Sequence, residues 1–599
     1  MRTRSQRSDM RSRDLPPMLS RKACRWPNLK NQPPRRFNRL PRASAAILWV
    51  VVFTLPARTT ASSPEGLQDR QSEVLHNGIV LESPWPPRRT THNSPASPPP
   101  YLVSPPAVIP IDVGRQLFVD DFLIETSSLV RTFHQAQYFA GNPVLQPDKP
   151  WEQVGSEDNP GGSAAMPYSD GAWYDPSDRV FKLWYMGGYV GGVCYAFSKD
   201  GIHWQKPLLG VEPGTNIVLP AKQRGGSTTV WLDHEERNPQ RRFKLAVHSF
   251  PDDTKQLLFF SRDGIHWGEP VVGAGRSGDR STMFYNPFRK VWVYSIKHRL
   301  AGARSRLYRE SADLAAGASW KQEEPVLWVG ADSLDPERND LKTKPQLYNL
   351  DAVAYESILL GLFTIWRGQP TGRPKPNELV VGYSRDGFHW DRPVRTAFIP
   401  VSERRGDWNW GNVQSAGGGC LVVGDKLYFY VSGRAGQPGN SRSGVCSTGL
   451  AVLRRDGFAS LGAGADGGML TTRPVVFKGK YLFVNTNVQA GELRVEVVDE
   501  RGEAIGPYTR RDCEPVRSDQ TLQAVRWKGA RDLSRLVGKA VRFRFHVANG
   551  SLYSFWVSPD RSGSSQGYVA AGGPGFTGSR DTVGAAAYRS VGRQTLITP

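Results

Sequence analysis

A turn-like heptad that recurs along the chain constrains its fold more than any other feature of the sequence. It reads SKDGIHW at residues 198–204, SRDGIHW at 261–267 and SRDGFHW at 384–390, with degenerate copies around Asp313 and Asp456. Two apolar stretches separated by a turn, and then a third apolar stretch, precede each copy. Five units of about 65 residues with this order predict a five-bladed β-propeller, whose four-stranded sheets surround a channel.

The composition favours short strands over helices. The 599 residues include 18 Trp, 61 Gly and 46 Pro; aromatic residues suit pleated surfaces, whereas Gly and Pro mark turns. From Thr471 onward the blade pattern gives way to alternating strands with closely spaced turns, which predicts an antiparallel β-sandwich. The predicted fold class is therefore all-β, with a five-bladed β-propeller over residues 107–468 followed by a β-sandwich over residues 469–559.

The segments that flank these two domains are predicted to lack a packed core. Residues 62–106 are rich in Pro, Ser and Arg, which predicts a disordered linker. Residues 560–599 are rich in Gly and Ser, which predicts a flexible tail. The stretch QLFVDDFLIE, residues 116–125, is expected to supply the outermost strand that closes the propeller ring.

Residues 1–61 are predicted to direct secretion. Residues 45–55 form an apolar run that is shorter than the ~20 residues a membrane-spanning helix needs. A basic stretch precedes this run and small residues follow it, which is the pattern of a signal peptide cleaved after Ala61. An uncleaved N-terminal membrane anchor is the alternative. The expected location is secreted, periplasmic or at the cell surface.

The net charge of +21 lies largely at the N-terminus, where residues 1–44 hold thirteen Lys and Arg against two Asp. The mild excess that remains does not indicate a nucleic-acid partner, but it is compatible with an anionic polysaccharide.

The five cysteines show no CxxC or Cys/His metal spacing. Cys420 and Cys446 either pair in an oxidising compartment or remain buried thiols, and the sequence leaves both alternatives open, as it does the oligomeric state.

Propeller topology sorts the acidic residues by face. The heptads follow the third strand of their blades, and the turns between first and second strands carry Asp175 and Glu356, so both sets lie opposite the channel mouth. The heptad acids Asp200, Asp263 and Asp386 are therefore predicted to shape turns by accepting bonds from backbone N–H groups. The heptad histidines are predicted to be equally structural.

Acids that do not repeat are the candidates for chemistry at the channel mouth. Side chains alternate along a strand with a period of two, which directs Asp170, Asp279 and Asp351 toward one funnel, and a loop of blade four adds Glu378. The candidates for substrate binding are polar, cationic or aromatic, as sugar rings require: Asp158, Arg280, His298, Asn349, Arg367, Trp408, Trp410, Asn412, Gln414 and Arg434. A polar rim that merely solvates the channel is the alternative interpretation.

The blade count, the heptads and the opening NPVLQPDKPWE at residues 142–152 resemble the five-bladed propeller glycosidases of glycoside hydrolase families 32, 43, 68, 117 and 130. The C-terminal sandwich is similar to that of family 32. The resemblance covers roughly residues 110–558 and implies hydrolysis by two carboxylates around an oxocarbenium-like transition state, with a third acid that holds the substrate.

The sequence also departs from these families. The family 32 motif WMNDPNG has no clean counterpart, and blade one offers only Glu157, Asp158 and Asp170. The Arg-Asp-Pro and Glu-Cys motifs are absent as well. Asp279, which Arg280 follows, is the first candidate for the stabilising or catalytic acid, and Asp351 or Glu378 is the next.

The leading functional hypothesis is a secreted glycoside hydrolase-like enzyme that acts on a polysaccharide or oligosaccharide. The missing motifs keep a second hypothesis open, a carbohydrate-binding propeller without catalysis. A protein-interaction propeller is less favoured, because its rim should be more apolar. No cofactor or metal is expected from a ligand cluster, although the resemblance leaves open a channel cation such as calcium.

Overall fold

The computed structural model describes residues 72–91, 96–155, 159–160, 162–248 and 256–590. The predicted signal peptide and the candidates Glu157 and Asp158 lie outside these residues. Within them, strands dominate and the few helices are short. None of the described helices has the length and apolar character needed to cross a membrane.

The described part of the predicted linker is packed rather than disordered. It contains β1 (Glu73–Val74), β2 (Val80–Leu81) and α1 (Pro100–Val103), and β3 (Ile109–Pro110) follows. Leu75 and Tyr101 are buried in the second hydrophobic core of the protein, and the Asn77 side chain donates a hydrogen bond to the carbonyl of Arg385 at 2.9 Å. The linker prediction is therefore wrong for these residues, since apolar side chains spaced among the prolines anchor the segment.

The strand that closes the ring lies further along the chain than expected. After β3 come β4 (Gln116–Leu117), β5 (Ile124–Ser127), β6 (Val130–Phe133) and β7 (Gln137–Tyr138). The stretch QLFVDDFLIE supplies β4 and the start of β5, both of which join the sandwich, because Phe118 and Phe122 are buried in its core. Instead, β7 forms the outermost strand of blade five.

Five consecutive sheets form the blades. Blade one contains β8 (Ala165–Asp175), β9 (Val180–Gly187), β10 (Gly192–Ser198), β11 (Trp204–Gln205) and β12 (Ile217–Leu219), followed by α2 (Ala221–Arg224). Blade two contains β13 (Ser227–Leu232), β14 (Phe243–His248), β15 (Gln256–Ser261) and β16 (Val271–Gly273). Blade three contains β17 (Thr282–Asn286), β18 (Val291–Leu300), β19 (Ala303–Ser311) and β20 (Val326–Gly330), with α3 (Leu314–Gly317) before its last strand.

The last two blades complete the ring. Blade four contains β21 (Gln346–Glu356), β22 (Ile358–Trp366) and β23 (Asn377–Ser384). Blade five contains β24 (Asn412–Ser415), β25 (Leu421–Val423), β26 (Lys426–Arg434) and β27 (Cys446–Arg454). Neighbouring blades pack in sequence, and β26 of blade five packs against β8 of blade one, so the predicted propeller is confirmed.

The sandwich is confirmed too, but it begins earlier than residue 469. Its strands are β28 (Ala459–Ala463), β29 (Gly468–Thr472), β30 (Val475–Val476), β31 (Tyr481–Asn487), β32 (Glu492–Val498), β33 (Asp519–Ala524), β34 (Arg542–Ala548) and β35 (Gly550–Ser558). One sheet has the order β33-β31-β35-β28-β6, with β4 on β35, and the other has the order β32-β34-β29-β5. The N-terminal strands therefore build part of the sandwich. Short 3-10 helices occur at Pro150–Glu152, Pro239–Arg241 and Ser534–Leu536.

The predicted flexible tail is ordered through residue 590. It contains β36 (Tyr568–Val569), which pairs with the end of β21, and α4 (Ala585–Ser590). An ideal Cβ at Gly567 would lie 2.2 Å from a carboxylate oxygen of Glu356, and one at Gly573 would lie 1.8 Å from the carbonyl oxygen of Val422. The glycines that suggested flexibility are therefore required for close packing across the far end of the channel.

The heptads form turns, as predicted. In the first copy, one carboxylate oxygen of Asp200 accepts hydrogen bonds from the backbone N–H groups of Ile202 and His203 at 2.8 and 2.9 Å. The other oxygen contacts the His203 ring at 2.7 Å, and that ring is 86% exposed. Asp263 and Asp386 make the same bonds. These acids and histidines therefore shape turns on the face opposite the channel mouth.

The turn geometry predicts a small, pH-dependent stability effect of Asp263→Ala. Burial opposes ionisation of Asp263, but hydrogen bonds from His266, the backbone and Ser261 lower its pKa to about 2. The substitution should lower the free energy of unfolding at pH 7 by about 0.5 to 1 kcal/mol, since solvent screens this partly exposed group. Because the native pKa lies below the unfolded value, the difference should disappear as pH falls from about 4 toward 2. Denaturant titrations against the exposed control Arg262→Ala measure it, and an effect that grows with acidity would contradict the assignment.

Candidate functional site

Two strands at the centre of the propeller bulge at the channel mouth. In β8 the register moves from Met166 opposite Met186 to Gly171 opposite Trp184, so residues 167–170 loop out of the ladder. Two of these residues, Tyr168 and Ser169, have left-handed backbone angles of 48° and 78°. In β21 the register shifts between Leu347 and Asn349, so Tyr348 also lies outside the ladder. Bulges and left-handed residues concentrate at functional sites, because the surrounding structure must hold them in place.

Asp351 lies inside this mouth and is almost completely buried. One of its carboxylate oxygens accepts hydrogen bonds from the Ser169 hydroxyl at 3.1 Å, the Asn349 amide at 2.8 Å and the Ser415 hydroxyl. Burial raises the pKa of Asp351, while Arg280 and these hydroxyls act in the opposite direction. Asp351 therefore keeps its proton to a higher pH than an ordinary aspartic acid, and residues of blades one, four and five meet at its side chain.

Asp279 has different surroundings, although it belongs to the same mouth. Its side chain is 34% exposed and lies 4.0 Å from the Lys297 ammonium group. Its Oδ1 atom is buried without a hydrogen-bond partner among the described residues. Blade two approaches it closely, since an ideal Cβ at Gly226 would lie 3.5 Å from the Cβ of Asp279. Asp279 is thus a partly solvated carboxylate with one oxygen available to a ligand.

Arg280 connects Asp279 to the bulge of blade one. It has a left-handed backbone angle of 67°, and its guanidinium donates a hydrogen bond to the carbonyl of Tyr168 at 2.6 Å. The same guanidinium lies 4.0 Å from the centre of the Tyr168 ring. Asp351 is linked to this bulge through the Ser169 hydroxyl, so chain neighbours of Asp170 and Asp279 both contact the bulge.

Asp170 is the least accessible of the three acids. It is fully buried, and an ideal Cβ at Gly417 of blade five would lie 3.3 Å from its carbonyl oxygen. The backbone of Asp170 therefore lies where blades one and five meet.

Several other predicted residues line the same mouth. Asn412 and Gln414 face Arg434 and Ser432 across the ladder of blade five, and the Gln414 amide donates to Asn412 Oδ1 at 2.7 Å. The hydroxyl of Ser432 accepts a hydrogen bond from the backbone N–H of Tyr168 at 2.9 Å. These contacts bring Asn412, Gln414 and Arg434, together with Asn349, to the cluster around Tyr168 and Asp351.

Five predicted residues are placed elsewhere in the described structure. Glu378 forms an ion pair of 3.1 Å with Arg367, whose guanidinium also binds two backbone carbonyls, so this pair braces blade four. Trp408 packs flat on blade five, since ideal Cβ atoms at Gly433 and Gly449 would lie 2.0 Å from its ring.

The two remaining residues are also away from the acids. Trp410 is 8% exposed and packs under the Arg373 guanidinium at 4.8 Å. His298 lines an open cavity of blade three together with Lys297 and Trp320, and no described hydrogen bond or ion pair links it to the acids. The sequence predicted that the indole rings of Trp408 and Trp410 bind sugar at the mouth. Glycines in the neighbouring strands instead leave room for these rings inside the blade.

The sequence-based prediction missed the two tyrosines of the bulges and the cations around them. Tyr168 and Tyr348 occur in the related stretches PYSD and LYNLD, each with an acid two or three residues later. Arg304 lies 5.7 Å and Lys375 4.9 Å from the centre of the Tyr348 ring. Arg306 is fully buried, and its guanidinium donates to the carbonyl of Arg280 at 2.7 Å and to the carbonyl of Tyr348. The repeated Tyr and Asp spacing was the available signal.

The residues at the mouth do not suit a channel cation such as calcium. Across the described ranges, no three His, Cys, Asp or Glu side chains come together as metal ligands. Asp351, the most central acid, has Arg280 and Arg306 as charged neighbours, which would repel a cation. We therefore derive no step through a metal.

The described cysteines are buried and form no disulfide with one another. Cys420 and Cys446 are therefore separate thiols in this structure.

Comparisons with known proteins place the chain near carbohydrate-active propellers at low similarity. No family model matches, and no curated protein matches. An N-acetylgalactosamine deacetylase from F. plautii, in complex with blood group B trisaccharide, is 16% identical with a TM-score of 0.33 and covers 58% of this chain and 97% of its own. A thermostable family-43 glycoside hydrolase is 12% identical with a TM-score of 0.36, covering 51% and 96%.

A third solved structure is described as belonging to the GH130 family of mannoside phosphorylases, which contains glycoside hydrolases that target β-1,2 mannosidic linkages in Candida mannan. It is 12% identical with a TM-score of 0.37 and covers 54% of this chain and 94% of its own. At these identities and TM-scores the matches do not establish an activity for this chain.

Proposed function

We propose that this protein is a secreted glycoside hydrolase-like enzyme that cleaves a glycosidic bond of a polysaccharide or oligosaccharide in the channel mouth. The observation that carries the proposal is that two carboxyl groups with contrasting surroundings, Asp279 and Asp351, both lie near Arg306 at the channel mouth. Glycosidases need one carboxyl group that is protonated near neutral pH and one that is ionised.

The surroundings assign a role to each acid. Asp351 is buried and has a raised pKa, so it is suited to hold the proton that the leaving oxygen requires. Asp279 is 34% exposed, lies 4.0 Å from the Lys297 ammonium group and is suited to act as the second carboxylate, either on water or on the anomeric carbon. Arg280 fixes the position of Asp279 against the bulge of blade one through its bond to Tyr168.

The walls of the mouth suit a sugar. The rings of Tyr168 and Tyr348 lie at the mouth with 9% and 8% of their surface exposed, and the Asn412 and Gln414 amides and the Arg434 guanidinium lie beside them as donors and acceptors for hydroxyl groups. Gln414 Oε1 and Asn349 Oδ1 are buried without a hydrogen-bond partner among the described residues, which is expected where a polar ligand or water completes the bonding.

A carbohydrate-binding propeller without catalysis is the second candidate. It is favoured by the position of Asp351, which is only 3% exposed and already accepts three hydrogen bonds from the protein. In this alternative Asp351 organises the bulges, and the mouth retains a sugar without cleaving it.

The test is a screen of the purified protein against a panel of neutral and acidic polysaccharides, with release of reducing ends as the readout. The proposal predicts cleavage of at least one member of the panel. Binding of a polysaccharide without cleavage, measured on the same samples, would support the second candidate instead.

The raised pKa of Asp351 predicts the pH dependence of cleavage. If Asp351 donates the proton, the rate should fall as pH rises through its pKa, at a higher pH than an ordinary aspartic acid allows. Asp351→Asn should remove this limb and lower kcat by about 100-fold or more. Asp391→Asn is the matched control, because burial and Asp120 raise the pKa of Asp391 to about 6 outside this cluster. If Asp391→Asn removed the fall in rate at high pH and Asp351→Asn did not, the role of Asp351 as proton donor would be contradicted.

A further inference from the structure

Two tyrosine rings at the channel mouth are each flanked by two cationic side chains. The guanidinium of Arg280 lies 4.0 Å and that of Arg434 5.6 Å from the centre of the Tyr168 ring. Arg304 and Lys375 lie 5.7 and 4.9 Å from the centre of the Tyr348 ring. This density of cations exceeds what the hydroxyl groups of a neutral sugar require, since hydroxyls are satisfied by neutral donors and acceptors.

Three of the cations are buried with part of their donor capacity unused. Arg280, Arg306 and Arg434 are between 0 and 4% exposed. The Nε and Nη2 atoms of Arg280, and the Nε atoms of Arg306 and Arg434, are buried without a hydrogen-bond partner among the described residues. Buried donors are nearly always paired in native proteins, so the mouth presents guanidinium N–H groups that call for an acceptor.

The cations of the mouth outnumber its acids. Six cationic side chains lie among the three acids Asp170, Asp279 and Asp351: Arg280, Lys297, Arg304, Arg306, Lys375 and Arg434. Burial and repulsion by the charge of Arg280 lower the pKa of Arg306 to about 9, while Asp351 and Asp279 act in the opposite direction. A bound anion would relieve this repulsion, because opposite charges favour the ionised form.

We propose that the channel mouth binds an anionic substituent on the sugar ring, a carboxylate or a sulfate ester, with Arg280 and Arg434 as its principal ligands. The planar fork of arginine matches the oxygens of both groups and can bind two of them at once. This inference names the substrate class of the proposed enzyme and rests on the proposed function of the same site.

The experiment is isothermal titration of the full chain carrying Asp279→Asn, so that binding is measured without cleavage. Each anionic glycan is paired with its neutral counterpart, polygalacturonate with its methyl ester and a sulfated galactan with the same galactan after desulfation. At least one anionic member should bind tenfold or more tightly than its counterpart, and its affinity should fall with added salt. The two pairs distinguish carboxylate from sulfate.

Two variants keep the inference testable if one of them folds poorly. Arg280→Asn removes the guanidinium and places a residue that tolerates the left-handed backbone, and Arg434→Gln removes the second guanidinium from a regular strand. Each should weaken anionic binding by roughly 10- to 100-fold, and should weaken it at least about fivefold more than it weakens binding of the neutral counterpart. Arg299→Ala, an exposed cation on blade three, is the control and should change neither.

The possible outcomes separate this inference from the proposed hydrolysis. Equal binding of anionic and neutral members in both pairs, or unchanged binding in both arginine variants, would overturn it even if a neutral glycan is cleaved. Tight, arginine-dependent binding of an anionic glycan that the wild-type protein does not cleave would support it while contradicting hydrolysis.

Discussion

Asp279→Asn lowers the rate of glycosidic cleavage by about 10²- to 10⁴-fold, the range expected when a general acid or base loses its function. Asparagine has the same shape but cannot ionise, so the contacts of Arg280 with Tyr168 should persist. The loss should therefore appear in kcat, while substrate binding changes little. Initial rates on the best polysaccharide of the panel, measured by reducing ends, give both values.

A matched control separates this effect from general damage. Asp425 is an exposed acid in the turn that follows β25, on the face opposite the mouth, and it pairs loosely with Lys426 at 3.9 Å. Asp425→Asn should retain wild-type activity and stability, since exposed pairs contribute at most about 1 kcal/mol. Wild-type activity in Asp279→Asn would remove this residue from the chemistry.

Glu356→Gln lowers the free energy of unfolding by about 3 to 5 kcal/mol, the cost expected when one partner of a buried ion network is removed. One Glu356 oxygen lies 3.0 Å from Arg455 and 3.4 Å from Arg115, and all three side chains are fully buried. The other oxygen accepts a hydrogen bond from the Ser565 hydroxyl at 2.7 Å. The substitution leaves Arg115 and Arg455 short of negative charge where the propeller, the sandwich and the C-terminal segment meet.

The comparison for this prediction is Glu403→Gln. Glu403 pairs with Arg338 and Arg373, but its side chain is 57% exposed, so its loss should cost about 1 kcal/mol or less. Chemical denaturation followed by intrinsic fluorescence gives both free energies. If Glu356→Gln were as stable as Glu403→Gln, the network would be a consequence of packing rather than a source of stability.

The blade count and the face of each acid could be read from the sequence because the heptads mark one end of every third strand. Once that direction is known, alternation with a period of two places Asp351 and Asn349 on one strand face. The structure confirms their contact, at 2.8 Å between the Asn349 amide and the Asp351 carboxylate. Local pattern and topology were sufficient for these two residues, because β21 is regular from Asn349 onward.

The bulges themselves could not be predicted, since alternation fails where residues loop out of a ladder. Residues 167–170 contain the left-handed Tyr168 and Ser169, and nothing in PYSD specifies that conformation. For the same reason alternation cannot specify the side-chain direction of Asp170, which belongs to these looped-out residues and is fully buried.

Long-range pairing was the second limit. The sequence of residues 116–125 indicated strands, but it did not indicate that these strands join the sandwich. The ring is closed instead by the two-residue strand at Gln137–Tyr138. Likewise, the glycines of the C-terminal segment signalled flexibility in isolation, although contact with Glu356 and Val422 demands them. The partner of an edge strand or a glycine is set by tertiary structure.

The central claim is that the channel mouth is where this protein holds its carbohydrate. A crystal structure of Asp279→Asn with the tightest-binding oligosaccharide of the panel tests it most directly. The sugar should contact Tyr168 and Tyr348, with a ring substituent on Arg280 and a glycosidic oxygen within hydrogen-bond distance of Asp351. Sugar bound instead in the cavity of about 630 Å³ on the opposite face, lined by Tyr174, Tyr428 and Phe576, would contradict the claim.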